Sequence, residues 1–241
     1  MKTVRVADAW RASLAEQGLS ELQDWWHLAI DWVEPPNFRR GGWSGVTRLR
    51  VPGPDGAETL LYVKRQAGQR RRTLASGGRA RPTYFQDFLA LSTFRDCPRV
   101  QWVFFAEDGD RAVLVTRAPD GFVDLGTFAS RVEPARLFAG LIAVTTALSA
   151  LHRRRIQHGA CYPEHILIDP ETLRVRLLDY ERWRYRRSVT AAAHADLDQL
   201  LRRAPFLDGR GRDTVLRTAR LYAPRLTLTA PPAPERVFHH A

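Results

Sequence analysis

The stretch RRGGWSGV, Arg39 to Val46, precedes the run LLYVKRQ, Leu60 to Gln66, in a segment with strand-turn-strand character. Because glycine has no Cβ, such a turn lets backbone amides approach an anion closely. An ordinary hairpin turn would use the same residues. The lysine in the second run favours phosphate binding, since an ammonium then follows the glycine-rich turn. The candidate nucleotide-binding residues of the turn are Gly41, Gly42, Ser44 and Gly45.

Lysine is rare in this chain. Lys2 and Lys64 are the only lysines among 37 basic residues, and the others are arginines. A GC-rich coding bias would explain the arginines but not the retention of Lys64 within a strand. A compact ammonium that binds phosphate as a point charge is one physical reason. Asp87, near the start of the next helix, is the candidate carboxylate partner of Lys64, and a solvated acid on the helix surface is the alternative.

The segment QHGACYPEHILID, Gln157 to Asp169, follows a long apolar helix. Protein kinases carry the spacing His-x-Asp-(four residues)-Asn in their catalytic loop, where the Asp accepts the substrate proton and the Asn holds a metal. The same spacing here gives His158, Ala160 and His165, so the base is absent from its expected position. A neutral imidazole of His165 could ligate a metal, and a packed or surface histidine is the alternative. Asn37 is the only asparagine in the chain.

A third element, VRLLDYERWR, ends a short apolar strand at Asp179. A carboxylate at a strand end beside such a loop can hold the magnesium ion that bridges nucleotide phosphates. Acids at strand ends also occur in plain turns. The chain order of glycine-rich turn, lysine strand, histidine loop and strand-end acid favours metal binding, with His165 and Asp179 as the candidate ligands.

Hydrophobic periodicity divides the chain into a strand-rich first part and a helix-rich second part. In the first part, helices are predicted over 7–17, 21–32 and 84–95, strands over 46–51, 59–63, 100–106 and 112–116, and a mobile basic loop over 66–81. In the second part, helices are predicted over 125–131, 134–154, 190–203 and 212–221, with a hairpin of 166–168 and 175–178. The tail, 230–241, is predicted to be extended or disordered. Trp25, Trp26 and Trp32 are expected to be packing anchors.

These elements predict an α+β fold with two lobes. The N-terminal lobe, residues 1–118, would combine a small antiparallel sheet, one helix and an N-terminal helical extension. The C-terminal lobe, residues 119–241, would be rich in helices and carry the catalytic-loop-like and metal-binding-like segments.

Composition limits the classes of protein and partner. The 241 residues are 44% hydrophobic, which suffices for a core, and the net charge of +11 favours an anionic partner. Two cysteines, Cys97 and Cys161, lie far apart and outside any zinc-ligand spacing, which argues against a disulfide framework or a zinc site. The N-terminus lacks the apolar run of a secretory signal. The longest apolar stretch, Leu137 to Leu151, is shorter than a membrane span and is expected to be a buried helix.

The motifs RRGGWSGV, YVKRQ, PTYFQDF, HGACYPEHILID and LLDYER, in this order, resemble those of the bacterial lipopolysaccharide core kinases of the WaaP/InaA type, in particular the InaA-like branch. The resemblance covers roughly Trp25 to Pro205. It implies a bilobal protein-kinase-like fold that binds ATP and Mg²⁺, with a sugar hydroxyl of the lipopolysaccharide core as phosphate acceptor. It also implies a cytoplasmic protein, with peripheral association at the anionic inner-membrane surface as a further expectation.

The resemblance also suggests a role for each candidate residue. Lys64 would contact the α and β phosphates, Asp87 would hold Lys64, and Asp179 would bind metal. His165 stands where a histidine also occurs in core kinases. Ala160 departs from the WaaP pattern, which has Asp there, and the candidate substitutes for this catalytic group are His158, Glu164 and Asp196. A basic loop would suit an acidic, phosphorylated glycolipid, and its arginines are Arg70, Arg71, Arg72, Arg79 and Arg81.

Two other functions remain open from the sequence. A pseudokinase would bind nucleotide or anionic glycolipid as a regulator or scaffold, and Ala160 favours this alternative. A nucleic-acid-binding module is suggested only by the net charge of +11, and the absence of a recognisable RNP, helix-turn-helix or zinc motif counts against it.

Overall fold

The computed structural model describes residues 2–29, 31–39, 41–73 and 76–228. The chain divides into two units. Unit one comprises Met1–Arg95 and Val100–Asp120, and unit two comprises Asp96–Arg99 and Gly121–Ala241. The prediction for the tail, 230–241, lies outside the described residues. The division into an N-terminal lobe, 1–118, with a helical extension and a helix-rich C-terminal lobe, 119–241, stays a prediction.

Unit one is built on a six-stranded antiparallel sheet with strand order β1-β7-β8-β4-β3-β2. Its strands are β1 (Thr3–Val6), β2 (Trp32–Arg39), β3 (Gly42–Pro52), β4 (Glu58–Ala67), β5 (Arg70–Arg72), β6 (Ala80–Pro82), β7 (Trp102–Asp108) and β8 (Arg111–Arg117). Its helices are α1 (Arg11–Glu16), α2 (Leu22–Trp26) and α3 (Thr83–Thr93). The four strands predicted from the sequence are four of the six in the sheet.

Alternation along β4 gives the sheet two different faces. Leu61 and Val63 are buried in a core cluster that includes Trp10 and Trp25 from the N-terminal helices. Lys64 follows Val63 by one residue and therefore faces the opposite side, where it contacts Asp87 of α3. The N-terminal helices thus cover one face of the sheet and α3 supports the other.

The second predicted helix is shorter than expected. It ends at Trp26, and Trp32 begins the edge strand β2 instead. Pro35 and Pro36 lie in β2, where register shifts interrupt its pairing with β3, and edge strands with bulges tolerate proline in this way. Trp25 is fully buried, whereas Trp32 is 36% exposed. Of the two, only Trp25 is therefore buried in the core.

The prediction of a mobile loop over 66–81 is wrong for the described part of that segment. Strands β5 and β6 pair as an antiparallel hairpin, with Arg72 opposite Ala80. Thr73 and Ser76 bond each other at the turn, and Thr73 Oγ1 also bonds Gln86 Oε1 of α3 at 2.9 Å. Sequence periodicity misses this hairpin because its strands are three residues long and carry no apolar alternation.

Unit two is helix-rich with short strand pairs. Its helices are α4 (Leu125–Arg131), α5 (Pro134–His152), α6 (Val189–Arg203) and α7 (Gly209–Arg220), and its strands are β9 (Val123–Asp124), β10 (Ile156–Gln157), β11 (Ile166–Ile168), β12 (Val175–Leu177) and β13 (Arg184–Tyr185). Strand β11 pairs with β12 and β9, and β10 pairs with β13. The loops after β10 and β12 carry four of the candidate site residues of this unit, His158, Glu164, His165 and Asp179, and α6 carries Asp196.

Helix α5 packs against α6 and α7 through a buried stripe. Leu141, Val144, Leu148 and Leu151 follow the three- and four-residue spacing of one helical face and are fully buried. By length and composition alone, α5 would also suit a membrane span, with a mean hydropathy of 1.5 over 18 residues, of which 33% are buried. Core helices of soluble proteins share these properties, so they are weak support for a membrane span.

Candidate functional site

Backbone conformation and steric crowding explain why glycine occupies three positions of the glycine-rich turn. Gly41 has a φ of +75°, which favours glycine. A Cβ on Gly42 would lie 2.3 Å from the carbonyl oxygen of Ala67, and a Cβ on Gly45 would lie 2.6 Å from the Trp32 ring. Gly42 and Gly45 thus serve close packing of β2, β3 and β4. Their role toward a nucleotide, and that of Ser44, stays a prediction.

Lys64 and Asp87 form an ion pair inside unit one. Lys64 Nζ donates to Asp87 Oδ2 at 2.9 Å, and the Asp87 side chain is 1% exposed. The Lys64 side chain keeps 16% of its surface exposed. The ammonium is therefore oriented by a buried carboxylate, and part of the lysine side chain reaches solvent.

A buried glutamine fixes the helix that carries Asp87. Gln66, on β4 with Lys64, accepts hydrogen bonds from Thr83 Oγ1 at 3.0 Å and from the Tyr84 backbone N–H at 2.8 Å. These bonds satisfy a donor at the N-terminus of α3, which would otherwise be unpaired. One strand thus supplies both the lysine and the anchor for its partner's helix.

Asp196 of α6 holds the loop after β10 in place through hydrogen bonds to its backbone. Asp196 Oδ2 accepts from the backbone N–H of His158 at 2.7 Å, and Oδ1 accepts from that of Gly159 at 2.9 Å. Asp196 also bonds His152 Nε2 at 3.0 Å, and both side chains are fully buried. Asp196 is therefore a positioning residue. Its prediction as a substitute for the catalytic base is wrong, because both oxygens are engaged and solvent is excluded.

The other two predicted substitutes for the catalytic base, His158 and Glu164, lie in different surroundings. His158 is buried, and its ring packs on Tyr180 with centroids 4.5 Å apart. Its Nδ1 accepts from the Ala160 backbone N–H at 3.3 Å. Glu164 is exposed on a short 3-10 turn, Pro163–His165. Of the three predicted substitutes, Glu164 alone combines a carboxylate with exposure to solvent.

His165 and Asp179 lie close together in unit two. His165 Nδ1 is 2.9 Å from the Ala160 carbonyl oxygen and 3.7 Å from Asp179 Oδ2. Because both neighbours are acceptors, the proton belongs on Nδ1 and the lone pair of the neutral ring on Nε2. The two side chains are 26% and 27% exposed. The pair thus offers one nitrogen and one carboxylate to solvent.

The backbone at Asp179 is in the left-handed region, with φ 60° and ψ 65°. Such a conformation is uncommon for residues other than glycine, although Asp and Asn adopt it more often than most, and it is held here by the surroundings. Tyr180 supplies that constraint, since its side chain is fully buried and its hydroxyl donates to the Pro98 carbonyl oxygen at 3.0 Å. The strained turn presents the Asp179 carboxylate beside His165.

The donor set fits a divalent cation that is completed by other ligands. Magnesium is commonly bound by one or two carboxylates plus substrate phosphates, rather than by a cage of protein groups alone. Within the described ranges, no group of three or more His, Cys, Asp or Glu residues could hold a metal ion. Asp179 supplies a carboxylate of the kind that Mg²⁺ prefers, and the imidazole of His165 adds a nitrogen donor beside it.

Two residues of this site escaped sequence analysis. His152, the last residue of α5, bonds Asp196 through one ring nitrogen, and its Nδ1 lies 3.0 Å from the hydroxyl of Tyr222. Burial raises the pKa of Tyr222 well above its usual value. For His152, the sequence offered one indication of a role at the site, because this residue ends the apolar helix directly before the loop. For Tyr222, it offered none. The position of Tyr222, past the end of α7, comes only from tertiary packing.

A model of the lipopolysaccharide kinase (Kdo/WaaP) family matches residues 23–219. The chain belongs to this family. It is also 32% identical over 192 residues to Protein InaA of Escherichia coli (strain K12), covering 75% of this chain and 86% of that protein. The family resemblance found in the sequence is therefore confirmed, and membership supports a kinase-like role. The mixed α and β architecture with a large antiparallel sheet is consistent with it.

Proposed function

We propose that the chain is an ATP-dependent phosphotransferase acting on a sugar hydroxyl of the lipopolysaccharide core, with a bilobal protein-kinase-like fold. The observation that carries this proposal is the Lys64–Asp87 ion pair, with Nζ and Oδ2 2.9 Å apart. A lysine oriented by a buried helix acid is the arrangement that holds the nucleotide phosphates in kinases. The family description, lipopolysaccharide kinase, supports the proposed acceptor class.

The proposed mechanism relies on positioning. Phosphoryl transfer passes through a loose transition state, so the protein mainly aligns the reactants and stabilises charge. Lys64 would neutralise phosphate oxygens, and Asp179 with His165 would hold the cation. When bound, that cation neutralises charge that develops on the phosphates. The acceptor proton would pass to solvent or to the exposed Glu164.

The experiment that tests this function measures phosphate transfer from ATP and Mg²⁺ to purified core oligosaccharide by mass spectrometry. We expect one phosphoryl group per acceptor with the wild-type protein. The Lys64→Met variant, at equal folding by circular dichroism, is the control. Equal transfer by both proteins, or none by either with the authentic acceptor, would overturn the proposal.

A second candidate function is a pseudokinase that binds nucleotide or anionic glycolipid as a regulator or scaffold. The observation that favours it is Ala160, which occupies the expected base position and is 1% exposed. A methyl group there can neither accept a proton nor orient a hydroxyl. Nucleotide binding without any transfer to the core oligosaccharide would select this function.

Replacing Lys64 with arginine is expected to weaken nucleotide binding about tenfold, the loss of roughly one charge-assisted hydrogen bond. The planar guanidinium is larger than an ammonium and cannot take its place against the buried Asp87 carboxylate. Titration of a fluorescent ATP analogue measures the change. Lys2→Arg is the matched control, because Lys2 pairs with Glu21 at 2.9 Å on an exposed surface. An unchanged dissociation constant in Lys64→Arg would remove Lys64 from the site.

A further inference from the structure

An open cavity of about 770 Å³ lies at the β5–β6 hairpin of unit one. We call it the arginine cavity after the four arginines that line it, which are Arg70, Arg72, Arg79 and Arg81. It lies outside the candidate residues for nucleotide, metal and catalysis. Its volume is within the range of small-molecule clefts and far exceeds what a single inorganic phosphate needs.

The arginines extend from an anchored hairpin. The hairpin is paired from Arg70 opposite Pro82 to Arg72 opposite Ala80. Its turn is tied to α3 by the bond from Thr73 Oγ1 to Gln86 Oε1 at 2.9 Å. The two strands and Thr73 are therefore held in place before a ligand binds.

The charge of the cavity is positive. Glu107 is the one acidic side chain among its described lining residues, and it is ion-paired with Arg81. Arg81 also lies over the Phe85 ring at 3.3 Å, so it has a packing role. Arg72 and Arg79 are exposed, and Arg70 donates to the Ala80 carbonyl oxygen at 2.6 Å. Arg70, Arg72 and Arg79 therefore carry positive charge in addition to the Arg81–Glu107 pair, and this charge would attract an anion.

We propose that the arginine cavity binds phosphate groups already present on a saccharide headgroup. Guanidinium groups match phosphate oxygens in two-point hydrogen bonds, which a flat surface of lysines would not provide. The concave shape and volume favour a discrete sugar phosphate over a planar membrane. This inference rests on the proposed function and adds to it that the acceptor is recognised through its phosphates at a place apart from the transfer chemistry.

The test measures binding of delipidated core oligosaccharide to the full chain by calorimetry, before and after phosphatase treatment. Arg72→Gln with Arg79→Gln is the test variant. Arg5→Gln with Arg220→Gln is the matched control, because it removes the same charge from exposed positions, and neither residue is among those that line the cavity. Inorganic phosphate and vesicles of anionic phospholipid are the other two probes.

We expect the wild type and the control to bind the phosphorylated oligosaccharide, with affinity that falls as salt rises. The test variant should bind at least tenfold more weakly, and phosphatase treatment should cause a similar loss. Equal affinity of the two variants, equal binding after phosphatase treatment, or preference for vesicles or free phosphate would overturn the proposal. Phosphate transfer measured with the same proteins separates this outcome from failure of the proposed function, which would appear as no transfer by the wild type while its oligosaccharide binding stays intact.

Discussion

Replacing Asp179 with asparagine is expected to lower phosphate transfer by about 10²- to 10³-fold, the range found when a group that stabilises developing charge is removed. Asparagine adopts the left-handed conformation readily, so the turn at φ 60° should persist. The substitution therefore removes the negative charge and keeps the shape. Transfer to core oligosaccharide at a series of Mg²⁺ concentrations measures the effect.

The matched control for this prediction is Asp198→Asn on α6. Asp198 pairs with Arg202 at 2.6 Å four residues along the same helix, and the pair is partly exposed. Such surface pairs contribute little to stability or charge balance. The metal assignment would be wrong if Asp179→Asn showed the activity and the Mg²⁺ dependence of Asp198→Asn. A rise in the Mg²⁺ concentration needed for half-maximal nucleotide binding would support it independently of turnover.

Replacing Asp196 with alanine is expected to destabilise unit two by about 3–5 kcal/mol, because three buried hydrogen-bond partners lose their acceptor and each unsatisfied group costs about 1–3 kcal/mol. The change leaves the backbone N–H groups of His158 and Gly159 and the ring of His152 without their acceptor in the core. Unfolding in urea followed by circular dichroism measures the loss. Hydrogen exchange at His158 and Gly159 should accelerate, because these amides lose their acceptor.

Asp198→Ala serves as the control for Asp196→Ala, two positions further along α6. It removes a partly exposed carboxylate and is expected to change stability by less than about 1 kcal/mol. Equal midpoints for the two variants would contradict the positioning role of Asp196. Near-complete loss of the fold in Asp196→Ala would agree with that role, and Asp196→Asn would then provide a milder variant in which one oxygen acceptor remains.

Local patterns predicted the regular elements well where periodicity was strong. The stripe of α5 and the strand β4 were recognisable because apolar residues recur at helical or alternating spacing. The β5–β6 hairpin was missed because its arginine strands carry no such pattern. Trp32 was placed in a helix because tryptophans at helical spacing are ambiguous, and its pairing with Thr47 of β3 decides the outcome.

The candidate site likewise contains residues that spacing identified and a residue whose role only packing decided. Spacing singled out Lys64, Asp87, His165 and Asp179, and the structure brings the first two together and the last two together. The sequence prediction for Asp196 failed because residue type and spacing do not reveal whether a carboxylate faces solvent or accepts hydrogen bonds from buried backbone amides. Ala160 was recognisable as a departure from the catalytic pattern because it interrupts a fixed spacing.

By itself, the sequence determined the family, the order of the chemical groups and the absence of an acid at position 160, because these depend only on residue type and spacing. The tertiary structure alone decided that Asp196 anchors the histidine loop, that Tyr222 reaches His152, and that four arginines line one cavity. Each of these depends on contacts between residues distant in the chain or on burial, which local periodicity does not encode. Packing of α6 beneath the loop turned an ordinary helix acid into a buried acceptor of two backbone amides.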